Sequence, residues 1–159
     1  MHCIIASAGL GLGLLSWYIA TPVATRIHET APAERLMVVV TPDIDISLDG
    51  DSLVTITNTL PPRIELLRGS AYFDVRGNAP DKLQIKVGTA YIRDIGTRFS
   101  VSVKANGGTV AVENGQIEIQ LGSGKYLIGA YERADFDNSS VTGQRVIAEA
   151  DIAPWRRGW

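Results

Sequence analysis

The sequence predicts an all-β fold: a two-sheet sandwich or a β-solenoid-like stack of short antiparallel strands, preceded by one N-terminal transmembrane helix. Three observations carry that expectation. Apolar and polar residues alternate with a period of two through most of residues 68–119, as they do on a strand with one buried face. Glycines and Asp/Asn/Ser clusters interrupt the chain roughly every ten residues, the turn spacing of sandwiches, barrels and stacks. No segment after residue 35 holds a convincing helical period, and residues 144–152 come nearest to one.

The bulk properties agree with a single domain and an anchor. The chain has 159 residues, enough for one domain of ordinary size. Hydrophobic content of 45% and charged content of 20% are those of a globular chain rather than a disordered one. The formal net charge is −2. Basic residues are scattered and balanced by acids, so no nucleic-acid footprint is expected. The 16 glycines suit many short strands joined by tight turns. Cys3 is the single cysteine, which leaves no intramolecular disulfide and no thiol framework.

Residues 4–24 carry no formal charge and approach the roughly 20 apolar residues that a membrane crossing needs. Gly9, Gly11, Gly13, Ser7 and Ser16 dilute the run, but small residues are common in membrane helices. A single-pass anchor is the expectation for residues 1–24. A cleaved signal peptide and a buried soluble helix are the alternatives. No Lys or Arg precedes the run and no Ala-x-Ala site follows it, which weighs against a signal peptide. Gly9 and Gly13 form a Gly-x-x-x-Gly that a Gly-rich stretch produces by chance. Arg26 and Arg35 follow the span, a slight lean towards a cytoplasmic C-terminal side. Residues 25–35 are polar and aperiodic, and are expected to be a juxtamembrane linker.

The all-β domain is expected over residues 36–148. Leu36–Val40 is a short apolar run, which Pro42 ends or places at an edge. Ile44, Ile46 and Leu48 alternate with Asp43, Asp45 and Ser47, and Asp49-Gly50-Asp51 marks a turn. Leu53–Thr57 is rich in β-formers. Asn58–Pro62 is a loop, because Pro61-Pro62 removes ladder donors. Ile64 and Leu66 begin a strand that stops at Gly69. Ala71, Phe73 and Val75 then alternate, as do Leu83, Ile85 and Val87, and Phe99, Val101 and Val103. Val110 with Val112, and Ile117 with Ile119, repeat the pattern. Asn114-Gly115 reads as a type I′ hairpin turn. Gly107-Gly108 and Gly122-Ser123-Gly124 mark two more turns. Tyr126 and Ile128 alternate again, residues 131–136 and 141–147 are candidate strands, and residues 149–159 are a short tail.

Candidate chemistry is sparse. Asp43, Asp45, Asp49 and Asp51 have a calcium-loop look but lack the later bidentate Glu, so they are read as a solvated strand and turn. His28 with Glu29 is too small a set for a metal. Asp94, beside Arg98, is read as an ion-pair or turn residue. Gly9-x-Gly-x-Gly follows no strand and so is no dinucleotide fingerprint. No Ser/His/Asp, Cys/His or metal-ligand cluster is present. Catalytic, cofactor and metal residues are therefore expected to be none, and the protein is expected not to be an enzyme.

The run Leu67-Arg-Gly-Ser-Ala-Tyr-Phe-Asp-Val75, then Ile92-Arg-Asp-Ile-Gly-Thr-Arg-Phe-Ser-Val101, then Val110-Ala-Val-Glu-Asn-Gly115 resembles the FecR family of cell-surface signalling regulators. The residues that carry the likeness are Gly69, Ala71, Phe73, Val75, Gly96, Thr97, Phe99, Val101, Val110, Val112 and Gly115. Leu48–Ser52 looks like the family's Asp-Gly-Ser turn with one extra residue, and Arg63-x-Glu-x-Leu67 also fits. The likeness covers about residues 45–135. Leu83 stands where the family commonly has Phe.

The resemblance implies a periplasmic β domain on a single-pass inner-membrane protein. It also implies two partners: the periplasmic signalling domain of an outer-membrane TonB-dependent transducer and an extracytoplasmic-function sigma factor. Only three residues precede the apolar run and little follows the β domain. The family's sigma-binding part is therefore expected to be absent or separate, and its transducer-docking part absent or a stub. A structural or glycan-contacting envelope domain is the second reading, with Tyr126, Tyr131, Phe136, Trp155 and Trp159 as surface aromatics.

Overall fold

A computed structural model of the chain describes residues 23–77, 83–94 and 96–158. The expected anchor over residues 4–24 therefore lies almost wholly outside the described residues. Among the described residues, no helix is long and apolar enough to cross a membrane. The strands are β1 (Thr25–Glu29), β2 (Leu36–Thr41), β3 (Ile44–Leu48), β4 (Leu53–Thr57), β5 (Arg63–Arg68), β6 (Ser70–Val75) and β7 (Gln84–Val87). They continue with β8 (Ala90–Asp94), β9 (Arg98–Lys104), β10 (Gly107–Asn114), β11 (Gln116–Leu121), β12 (Gly124–Gly129), β13 (Glu132–Phe136) and β14 (Val141–Val146).

Two seven-stranded sheets form. The first has the order β1-β4-β5-β7-β8-β11-β12 and the second β14-β13-β10-β9-β6-β3-β2. Of the alternatives left open by the sequence, the architecture is thus a two-sheet sandwich. Neighbouring strands are antiparallel except β5 and β7, which run parallel. The chain alternates between the sheets, laying β2–β3 on the second, β4–β5 on the first, the single strand β6 on the second, β7–β8 on the first, β9–β10 on the second, β11–β12 on the first and β13–β14 on the second.

Alternation explains the core. Ile44, Ile46 and Leu48 face inward on β3, Val54 and Ile56 on β4, and Ile117 and Ile119 on β11, all buried. At the centre Phe73 and Phe99 are cross-strand partners. Their rings stack with centroids 5.1 Å apart and planes at 18°, a pairing worth about 0.5–1.5 kcal/mol beyond its buried area.

Two sequence expectations are corrected. Residues 25–29, read as linker, form β1, paired in register with β4 from Thr25↔Thr57 to Glu29↔Leu53. They carry no apolar period because β1 is an edge strand exposed along most of its length. The β domain thus begins at Thr25, and the turn after β1 is also ordered: the Thr30 hydroxyl donates to the Asp49 carbonyl at 2.6 Å. Second, Asn114-Gly115 is not a hairpin turn. β10 pairs with β9 and β13, whereas β11 pairs with β8 and β12, so the glycine turns the chain from one sheet to the other. Residues 144–152, the stretch nearest to a helical period, finish β14 and then make only a 3₁₀ turn, Glu149–Asp151, followed by a second, Pro154–Arg156. Gly107-Gly108 and Gly122-Ser123-Gly124 do sit at hairpins, as expected.

Candidate functional site

The eleven motif residues divide into core and corners. Ala71, Phe73, Val75, Phe99, Val101, Val110 and Val112 are all buried between the sheets. Gly69, Gly96 and Gly115 have φ of 82°, 83° and 84°, at the β5–β6, β8–β9 and β10–β11 crossings. Thr97 is buried with its methyl facing Gly115. These positions build the scaffold and offer no reactive group. Any surface that acts must be on the outward faces.

The outward face of the second sheet holds the most developed surface feature. One cross-strand row runs Ser47, Tyr72, Ser100, Ala111 and Arg133. Small side chains flank Tyr72, so the row is a groove rather than a ridge. Ser47, Tyr72, Ser100 and Ala111 are all buried, although they point away from the core. What covers Tyr72 and Ser100 is the C-terminal segment. Ile152 is 5% exposed, and its carbonyl accepts a hydrogen bond from the Ser100 hydroxyl. The Arg156 guanidinium lies 3.5 Å from the centroid of the Tyr72 ring. Burying one Ile side chain contributes about 2 kcal/mol, and an exposed cation–π contact about 0.5–1 kcal/mol. The tail over residues 149–159, expected to be a mere end, is therefore anchored to the sheet through Ile152 and Arg156.

At the groove's end the Tyr72 hydroxyl donates to Glu113 Oε2. Glu113 sits where the β9–β10 register shifts between Val112 and Asn114, a bulge that re-aims a side chain. Burial pushes the Glu113 carboxyl up, Arg156 pulls it back, and Glu149 pushes it up again. Between the C-terminal segment and the sheet, Tyr72, Glu113, Glu149, Ile152 and Arg156 line an open cleft of about 600 Å³. Its chemistry is that of recognition: a ring, an aliphatic side chain, carboxylates and a guanidinium. The neighbouring row is polar. The hydroxyls of Ser70 and Ser102 bond at 2.8 Å. Asp135 accepts from Thr109 at 2.6 Å, Lys104 at 2.8 Å and Arg145 at 2.9 Å. Burial pushes the Asp135 carboxyl up, but these bonds outweigh it and hold the group well below the ordinary carboxylate range.

The weaker sequence candidates do not assemble into sites. Asp45 pairs with Arg76 at 2.8 Å, Asp49 with Arg35 at 3.4 Å and Asp51 with Arg68 at 3.0 Å, so these carboxylates are spent on separate arginines. Glu29 reaches Arg68 at 2.9 Å, while His28 is on the alternate face of β1. Asp94 ends β8 in the first sheet and Glu113 lies on β10 in the second. Among the described residues, no group of three His, Cys, Asp or Glu could hold a metal ion. Phe136 is in the core, Tyr126 packs against it, and Trp159 lies outside the described residues. Sequence reasoning missed the Tyr72 groove. The available signal was the run of small outward residues, Ser100, Ser102, Thr109 and Ala111, facing away from a core made of large ones.

Comparison with known proteins agrees with this architecture. The profile of the family described as FecR protein matches residues 26–118, more than half of the chain. No curated protein matches the sequence. Two crystal structures, each of a candidate anti-sigma factor from Parabacteroides distasonis ATCC 8503, share the fold. The one at 2.50 Å resolution superposes with a TM-score of 0.72 at 16% identity, covering 85% of this chain and 66% of that one. The one at 1.65 Å gives 0.71 at 17% identity, covering 84% and 65%. This chain thus spans just under two thirds of the length of those two proteins.

Proposed function

Because the chain belongs to the FecR family, we propose that it is a membrane-anchored periplasmic regulatory domain. In this reading it relays a signal from an outer-membrane TonB-dependent transducer towards an extracytoplasmic-function sigma factor. The family is one of regulators rather than enzymes. The observation that carries the reading is where the family match falls. Residues 26–118 run from β1 into β11, and the motif residues within them are spent on core and corners. Contact with another protein is then left to the outward faces. The anchor rests on the uncharged residues 4–24, whose length suits a bilayer crossing. Such an anchor would hold the β domain at the inner membrane, and the family resemblance supports a periplasmic side for it.

Site-specific photo-crosslinking in intact envelopes tests this. A crosslinker replacing Arg157, exposed at the groove rim, is expected to capture the periplasmic domain of a transducer or an inner-membrane protein of a sigma pathway. A second crosslinker replaces Leu127, 55% exposed on β12. Capture of neither protein class from either position would overturn the reading.

A further inference from the structure

The segment that covers Tyr72 and Ser100 is attached differently from the strands of the described fold. The last backbone bond tying it to the sandwich is Ile147 N–H to the Tyr131 carbonyl, 2.9 Å. Beyond it, the backbone bonds that the described segment donates close on itself. Asp151 donates to Ala148, Ile152 to Glu149, Arg156 to Ala153 and Arg157 to Pro154. Neither 3₁₀ turn has a side-chain cap. The segment therefore holds to the sheet through a few side-chain anchors: the Ile152 slot, the Ser100–Ile152 bond and Arg156 over Tyr72. Such an attachment resembles a bound peptide more than a strand of the sheet. Regions of few buried contacts and little shared backbone bonding are those that open locally.

We infer that residues 148–158 are a detachable strap, and that the groove on β6, β9 and β10 is a peptide-docking site. Its ligand is a short segment with an aliphatic side chain and an arginine four positions later, the pattern of Ile152 and Arg156. The strap holds the site closed by occupying it in cis. Its release uncovers Tyr72 and Ser100, ready for the same pattern presented by a partner. Glu113, bonded to Tyr72 at the arginine end, adds a negative charge that suits this ligand's basic residue. The inference stands on the groove alone and holds whether or not the partner belongs to a transducer pathway.

The test uses the full chain and a fluorescent synthetic peptide of residues 147–158. In the Ile152→Asp variant a charge is forced into a buried position, so the strap should leave. The peptide is expected to bind this variant at least tenfold more tightly than the native chain, whose groove is filled. The peptide carrying Arg156→Ala is expected to bind at least fivefold more weakly. In native-state hydrogen exchange, strap amides should exchange at least a hundredfold faster than those of Phe73 and Phe99. If Ile152→Asp loses its far-UV circular dichroism, the Arg156→Ala chain replaces it, with an expected gain of about threefold over native. Absence of saturable binding to an opened variant, equal binding to native and opened chains, or strap amides as protected as the core would each overturn the proposal.

Discussion

Two corners carry the chain between the sheets with almost the same backbone and different surroundings. Gly69 joins β5 to β6 at φ 82°, and Gly115 joins β10 to β11 at φ 84°. A Cβ on Gly69 would stand 2.2 Å from Ser52 Oγ and 2.6 Å from both the Asp51 carbonyl oxygen and Ser52 Cα. A Cβ on Gly115 would meet the Thr97 methyl at 2.5 Å and the Gly96 carbonyl oxygen at 3.0 Å. The first corner is closed by backbone and by hydrogen bonds. Ser52 Oγ accepts from Ser70 N–H at 3.0 Å and donates to the Ser70 carbonyl at 3.1 Å, and Ser52 N–H donates to Thr30 Oγ1 at 2.9 Å. The second corner is closed, at its nearest point, by one methyl group. Glycine is thus required twice for the same torsional reason, but the tolerance of each site is set by what faces the missing side chain.

The comparison can be broken by substitution. Gly69→Ala should have the largest effect, about 3–4 kcal/mol, because a left-handed alanine costs about 1 kcal/mol and the clash is with unyielding backbone. Chemical denaturation measures it, and adding Ser52→Ala should recover almost nothing. Gly115→Ala should cost about 2–3 kcal/mol on the same reasoning with a softer obstacle. Here Thr97→Ser removes the obstructing methyl. The double variant should be at least about 1 kcal/mol more stable than the two single losses imply when added. Additivity at Gly115, or rescue at Gly69, would show that the corners are not distinguished in this way. Ser52→Ala alone should cost about 1–2 kcal/mol, the loss from leaving the Ser70 amide without its partner.

The smallest expected effect lies outside both corners and should be shared by all these variants. Asp135 is held ionised by Lys104, Thr109 and Arg145, so its folded-state carboxyl lies below its unfolded value. The folded chain then binds fewer protons than the unfolded one. The stabilisation is full above the unfolded carboxylate value of about 4 and is lost as pH falls through it towards the folded value. Asp135→Asn should flatten that part of the acid limb and cost about 1 kcal/mol near neutrality. An unchanged acid limb in a denaturation series between pH 5 and pH 2 would exclude this role.

The sequence made most of the strands legible because their inward residues are large and strictly alternate, as in β3, β6, β7, β9 and β11. β1 was illegible for a physical reason. An edge strand with little burial needs backbone partners but not an apolar face, so Arg26-Ile-His-Glu29 shows no period. Asn114-Gly115 misled because a hairpin and a between-sheet corner ask for the same positive φ. Local torsion does not reveal whether the next strand pairs back. The groove was hidden by its composition. Ser100 looks like an ordinary solvent-facing residue until a segment some fifty residues later is found bonded to it. Tyr72, bracketed by alternating core residues, reads as a surface position of the pattern rather than as the floor of a docking site.

One further consequence follows from the order of the strands. Read from the β1–β2 end, the first sheet runs β1, β4, β5, β7, β8, β11, β12 and the second β2, β3, β6, β9, β10, β13, β14. Sequence order and spatial order coincide in both. A chain emerging from its N-terminus can therefore extend the sandwich the way a zip closes. Each new hairpin adds to a margin already laid down, and no gap behind it waits for a later strand. The segment over Tyr72 follows β14, so the docking face is covered only after both sheets are laid down.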